Sequence, residues 1–135
     1  MASRMLTVDV QKKLGDFALN AKFTAARGVT ALFGRSGSGK TSIIGAIAGL
    51  LRPDRGRISI DDDPLFDDAS GLDVPAYRRR LGYVFQDGRL FPHLSVARNL
   101  DYGRWMSGLS RDAAKFRRIT ELLDIAALLK RRPGA

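Results

Sequence analysis

The run Gly34-Arg35-Ser36-Gly37-Ser38-Gly39-Lys40-Thr41-Ser42 carries glycines, a lysine and hydroxyl residues at the spacing of a phosphate loop, G-x-x-x-x-G-K-[ST]. The chemistry open to such a run is capture of a phosphate chain. Glycines let the backbone turn tightly and aim N–H groups inward at an anion. Lys40 would reach the β- and γ-phosphates, and the Thr41 hydroxyl would ligate Mg²⁺. Gly34, Arg35, Ser36, Gly37, Ser38 and Gly39 would contribute mainly backbone. Ser42 reads either as a residue near the α-phosphate or as a plain helix-start residue. If a helix opens at the loop, the positive end of its dipole also faces the anion.

These residues need elements on both sides to position them. Gly28-Val29-Thr30-Ala31-Leu32-Phe33 is a short apolar run, which predicts a buried strand. The stretch from Thr41 to Leu51 predicts a mostly buried helix, stopped by Arg52-Pro53-Asp54-Arg55-Gly56. Strand, glycine-rich loop and helix in that order is the context the motif requires.

Elsewhere the patterns are simple. Leu6, Val8 and Val10 alternate with polar residues, as do Phe17, Leu19, Ala21 and Phe23. With Gly15-Asp16 between them they predict an antiparallel pair. Arg57 to Ile60 predicts a further strand, Asp61-Asp62-Asp63-Pro64 a turn, Leu65-Phe66 a little extended structure, and Asp67 to Pro75 a loop. Leu81 to Phe85 predicts a second buried strand. Beyond Gln86 the period becomes helical, with Ser95 capping a helix to about Arg104. Ser110 is expected to cap another whose apolar face is Ala113, Phe116, Ile119, Leu122 and Leu123. Trp105 and Met106 are expected to pack at a helix end.

The 135 residues suffice for one domain, with 44% hydrophobic and 27% charged residues. The absence of cysteine excludes a disulfide framework, a thiolate metal site and a thiol nucleophile. The first residues lack the apolar stretch of a signal peptide. The longest apolar run, Ile43 to Leu51, falls short of the about 20 residues that span a bilayer. A net charge of +9 is compatible with nucleic acid, an anionic membrane surface, a partner subunit or a solvated face. The dispersed basic residues, clustered only at Arg78-Arg79-Arg80 and Lys130-Arg131-Arg132, favour a solvated face.

Gly34 to Ser42 taken together with Gly82-Tyr83-Val84-Phe85-Gln86 resembles the nucleotide-binding domain of ATP-binding cassette (ABC) transporters. Gly49-Leu50-Leu51-Arg52-Pro53-Asp54-Arg55-Gly56-Arg57-Ile58 is also similar to the family's stretch after the phosphate-loop helix. The resemblance covers essentially the whole chain. It implies an α/β fold, the P-loop NTPase core of an ABC nucleotide-binding domain with an antiparallel β subdomain and the start of a helical subdomain. Residues 1–92 would be the ATP-binding core and residues 93–135 the start of the helical part. The resemblance gives Gln86 its role, contact with Mg²⁺ and the attacking water. Catalytic roles then fall to Gln86 and Lys40, and metal-side roles to Thr41 and Gln86. ATP and Mg²⁺ are the implied cofactors. The implied partners are membrane permease subunits, a second ATPase subunit and, indirectly, a periplasmic binding protein; nucleic acid is not expected. The implied place is the cytoplasmic side of the bacterial inner membrane.

A narrower resemblance, carried by residues 82–96 with Asn99-Leu100 and Tyr102-Gly103, is to the ATPase subunit of bacterial molybdate importers. Leu128 to Ala135 is similar to the stretch just before that subunit's signature motif. Nothing chemical in these residues reads molybdate. Other importers and a cytosolic nucleic-acid-associated cassette ATPase stay open as alternatives, and a small P-loop kinase would need an acceptor site that is not apparent. The family's signature, its Walker B strand with catalytic Glu, its D-loop and its His switch do not occur in the sequence. The decoy Ile58-Ser59-Ile60-Asp61-Asp62 reads as a strand and turn. His93 reads as a loop or interface residue. The family's adenine-stacking aromatic falls near Leu14, which leaves Phe17 as a weak substitute. The expectation is an N-terminal part of a longer ATPase, without ATPase activity by itself.

Overall fold

A computed structural model describes residues 5–134. Two compact units divide the chain, Met1–Tyr83 and Val84–Ala135. The first is built on a five-stranded antiparallel sheet in the order β2-β1-β3-β4-β5. Its strands are β1 (Leu6–Leu14), β2 (Phe17–Ala25), β3 (Arg55–Ile60), β4 (Asp63–Asp67) and β5 (Leu72–Asp73).

The alternation read in the sequence sets the register. Val8 lies opposite Phe23 on β2 and Ile58 on β3, and Val10 opposite Ala21 and Gly56. The residues of one face are thus stacked across three strands, where a one-residue slip would turn them to the other face. The hairpin closes at Gly15, whose φ of 60° suits the turn. At Gly56 the reason for glycine is different. A Cβ there would lie 2.0 Å from the Asp9 carbonyl oxygen, so β1 and β3 can approach only over a bare Cα. A bulge at Ile58/Ser59 leaves Leu65 as the extra residue between Phe66 and Pro64. Both Leu65 and Phe66 are therefore buried, which strict alternation forbids.

One helix, α1 (Lys40–Ala48), packs on this face. The core joins Val8, Val10, Ala21, Ile58, Leu65 and Phe66 to Ala46 of α1, with Ile43 and Ile47 packed against it. Gly49 ends the helix in a left-handed cap, φ 78°, its N–H donating to the Ala46 carbonyl. The following loop is tied back to the sheet by Asp54, whose carboxylate accepts from Lys12 Nζ at 2.6 Å and from the Lys13 N–H at 2.8 Å.

Residues 28–33 and 81–85 form no strand. Val29, Phe33 and Val84 are more than nine-tenths exposed. A fully buried strand needs ladder neighbours on both sides, and the five strands that form belong to the antiparallel sheet. The supposed loop from Asp67 to Pro75, by contrast, contains the short β5.

In the second unit, α2 (Val96–Met106) starts as expected at Ser95, whose hydroxyl accepts from the Arg98 N–H. The cap of α3 (Ala113–Leu122) is Asp112, which accepts from the Lys115 N–H, and not Ser110. Both residues suit a cap chemically, so composition alone could not separate them. Trp105 and Met106 are 70% and 62% exposed, against the expectation that they pack. The proposed apolar face of α3 is also open, with Leu122 at 82%.

Two stability measurements check this architecture. Truncating the fully buried Phe66 to alanine should cost about 3–5 kcal/mol in urea unfolding. Asp54 gives a pH-dependent case. The hydrogen bonds from Lys12 and then Lys13 hold its carboxyl below the usual range. A depressed folded pKa adds stability above the unfolded value of about 3.9, lost as pH falls through the folded one. Asp54→Asn should therefore lower the melting temperature at pH 7, and the gap to the unaltered protein should close below about pH 4.

Candidate nucleotide-binding site

The phosphate-loop residues stand together at the start of α1. Ser36 and Gly37 form a turn, with the Ser38 N–H donating to the Arg35 carbonyl at 3.2 Å. Gly37 and Gly39 both adopt left-handed backbone, φ 80° and 86°. Gly39 is the helix N-cap and accepts the first helical bond from the Ile43 N–H. No side chain caps this end, and no acidic residue lies in the first turn. The first-turn N–H groups are therefore presented to whatever anion enters.

Lys40 Nζ turns back over the loop. It donates to the Gly34 carbonyl at 2.8 Å, the Arg35 carbonyl at 2.7 Å and the Ser38 hydroxyl at 3.3 Å. This fixes a cation at the centre of the turn. A cavity of about 360 Å³ is lined by Ser36, Gly37, Gly39, Lys40, Thr41 and Ser42, with Leu14 and Phe17 at its edge. Packing bears on two of the glycines, and at Gly39 conformation does as well. A Cβ on Gly34 would sit 2.7 Å from Ser38 Oγ, and one on Gly39 2.7 Å from Leu19 Cδ1 and 3.1 Å from Phe17 Cε1. Phe17 is 40% exposed, so an aromatic ring at the end of the hairpin abuts the loop where Leu14 offers none.

The donor set fits a phosphate chain: uncapped helix N–H groups, one ammonium and the hydroxyls of Ser36, Thr41 and Ser42. For Mg²⁺ it offers the Thr41 hydroxyl. Among the described residues no group of three His, Cys, Asp or Glu gathers to hold a metal. A cation here would take its remaining ligands from phosphate oxygens and water, as Mg²⁺ commonly does. Gln86 lies in the second unit, exposed at a bend.

That unit has its own cavity, of about 570 Å³, lined by His93, Leu94, Arg98, Asp101, Tyr102, Arg104 and Trp105. Aromatic rings line it at Tyr102 and Trp105, and Phe91 packs against Tyr102. Phe91 lies 4.4 Å from the Tyr102 ring centre and 5.9 Å from His93. Asn99 organises the loop beneath. Its side chain accepts from the Phe91 N–H at 2.7 Å and donates to the carbonyls of Phe91, Leu94 and Ser95. Sequence reading missed Asn99, although an Asn inside a helix that begins at a serine cap is a usable signal for a local backbone bond.

It also missed Arg79. The triple arginine is not one solvated patch. Arg78 and Arg80 are exposed, but Arg79 is buried at 4% exposure. Its Nη1 donates to the carbonyls of Ala46 at 2.7 Å and Ile47 at 2.9 Å, its Nε to Val74 at 2.6 Å, and its Nη2 to Asp73 Oδ1 at 3.0 Å. Burial lowers its pKa from the ordinary value, and the Asp73 carboxylate opposes that effect.

A family profile described as ABC transporter matches residues 19–135. The chain belongs to the ABC transporter family. It is 55% identical over 129 residues to the molybdenum import ATP-binding protein ModC of Rhizobium johnstonii, covering 96% of this chain and 36% of that protein. Against the ModC proteins of Rhizobium meliloti and Paramagnetospirillum magneticum the identities are 56% over 129 and 52% over 130 residues, at the same coverage. The chain thus spans about a third of the length of the curated relatives it matches. A bacterial ABC transporter cassette solved as a dimer aligns with a TM-score of 0.61 at 22% identity, over 96% of this chain and 61% of that one. That likeness establishes the ABC cassette fold.

The loop geometry yields its own test. Gly39→Ala places a methyl into Leu19 and Phe17 on a left-handed backbone. The amide resonances of residues 36–41 should shift and broaden, while those of β1 and β3 stay in place.

Proposed function

We propose that this chain is the ATP-binding part of an importer ATPase, and that the whole protein couples ATP hydrolysis to molybdate uptake. The observation that carries the nucleotide reading is the cradle at the start of α1, with Lys40 Nζ held over a turn of left-handed glycines and an uncapped helix end. Support for the cargo is the identity of 55% to a molybdenum import protein across 96% of the chain.

In this reading the backbone of Gly34 to Gly39 and the first turn of α1 bind the phosphates. Lys40 balances their charge, Ser42 lies by the α-phosphate, and Thr41 and, by the family resemblance, Gln86 are the residues that would hold Mg²⁺. The metal would supply charge neutralisation to the phosphate chain. Phe17, at the edge of the phosphate-loop cavity, is the substitute this reading offers for an aromatic over the base. Gln86 orients the attacking water. Phosphoryl transfer needs little more than positioning and charge compensation, and this chain carries the phosphate side of that apparatus. In this reading no described residue is assigned the catalytic carboxylate that completes hydrolysis.

The partners in this reading are membrane permease subunits and a second ATPase subunit, with a periplasmic binding protein acting through the permease. No helix among the described residues is long and apolar enough to cross a membrane, which suits a peripheral place on the cytoplasmic side of the inner membrane. The aromatic and arginine-rich cavity beside α2 has the composition of an interface core and is the surface we assign to the permease. Burial of Arg79 removes the middle of one of the two basic clusters, which weakens the case for nucleic acid.

Titration calorimetry with ATP and Mg²⁺ tests this. The unaltered chain should bind, and Lys40→Ala should weaken binding by about tenfold or more, the worth of a lost charged hydrogen bond. Phosphate release by the chain alone should not exceed the buffer rate. Failure to bind ATP would reject the reading, and hydrolysis lost in Lys40→Ala would reject the division of labour.

A further inference from the structure

We infer that Arg79 is a positioning residue for the phosphate loop, acting through the far end of the helix that begins with Lys40. The inference rests on the nucleotide-binding reading above and concerns how the loop is held.

Helix α1 has nine residues, about 14 Å of axis at 1.5 Å per residue. Its two ends are treated oppositely. The loop end has no side-chain cap. The other end has no basic residue of its own in the last turn, yet a guanidinium from outside the helix takes two of its terminal carbonyls, those of Ala46 and Ile47. The same guanidinium holds the Val74 carbonyl and the Asp73 carboxylate. Asp73 belongs to β5, which pairs with β4 through Phe66 and Asp67. A continuous path therefore runs from the sheet through Asp73 and Arg79 to the end of α1.

On the sheet side α1 is held by Ala46 together with Ile43 and Ile47, and its buried residues Gly45, Ala46 and Ala48 are small. Apolar contacts of this kind have no preferred direction. The rigid fork of Arg79 adds an axial constraint, since its planar donors fix direction as well as distance. Gly49 is shaped to admit it. A Cβ at that position would stand 2.7 Å from Arg79 Nε and 3.0 Å from Cζ. A cation at the helix C-terminus also compensates the dipole whose positive end faces the phosphate. Lysine in this place would keep the charge but could not span the carbonyls and the carboxylate together.

The test uses the full chain with Arg79→Lys, the milder Asp73→Asn, and Asp54→Ala as a control that loosens the loop after α1 without removing a bond to the helix end. Each is compared at an equal interval below its own melting temperature. Calorimetry gives the ratio of ATP to AMP affinity, and amide spectra without nucleotide follow Ser38, Gly39 and Lys40. In Arg79→Lys the ratio should fall about tenfold, with the loop amides shifted. Asp73→Asn should lie between, and Asp54→Ala should match the unaltered chain in both. Folded Arg79→Lys or Asp73→Asn with unchanged loop amides and ratio overturns the inference, and if Arg79→Lys does not fold, Asp73→Asn decides alone. Should the unaltered chain bind no ATP, the nucleotide reading fails and the amide shifts alone decide: movement upholds positioning, and none overturns it.

Discussion

A single buried cation organises the first unit. The Arg79 guanidinium joins three backbone carbonyls and one carboxylate, drawn from the end of α1 and the segment at β5. Leaving such a charge in the interior without partners costs about 3–5 kcal/mol. The partners must therefore be where they are, and they are parts of the two elements that have to be held together. The conformation of Gly49, the path of the chain from Leu72 to Arg79 and the end of α1 all follow from satisfying it. Hydrophobic burial of Val8, Ile58 and Phe66 makes the sheet stable, but burial has no direction. The guanidinium adds one.

The phosphate loop shows the same logic in smaller form. A turn with left-handed glycines concentrates carbonyls on one side and N–H groups on the other. Lys40 neutralises the carbonyl side by bonding to Gly34 and Arg35. The turn is thereby stable as it stands, with its N–H side available and its cation already in position. Little reorganisation remains for an incoming polyanion to bring about, and preorganisation of this kind improves affinity by lowering the ordering cost.

What could be read from the sequence was what is decided locally. The hairpin of β1 and β2 follows from alternation and a Gly-Asp turn, α2 from a serine before a helical period, and the loop from its glycines and lysine. What could not be read depends on residues distant in sequence. Residues 28–33 and 81–85 have the composition of buried strands, but composition cannot supply a neighbour to pair with. Arg79 looked like one of three surface arginines, because two of the carbonyls that draw it inside, those of Ala46 and Ile47, lie 33 and 32 residues away along the chain. The bulge that buries both Leu65 and Phe66 breaks the period on which strand reading depends. Of the candidate site, the segment Gly34 to Ser42 was legible in full. The role of Gln86 came from resemblance to a family and from no property of the residue itself.

The exposed apolar residues Val29, Phe33 and Val84 sit in a chain with a net charge of +9. These two facts set its colloidal behaviour. Exposed apolar side chains favour self-association, and like charge on every molecule opposes it. The balance is held by a force whose reach is about 10 Å at 0.1 M salt and about 3 Å at 1 M. Dissolved polyanions act on the same balance. Solubility of this chain is thus an ionic property, set by the medium as much as by the fold.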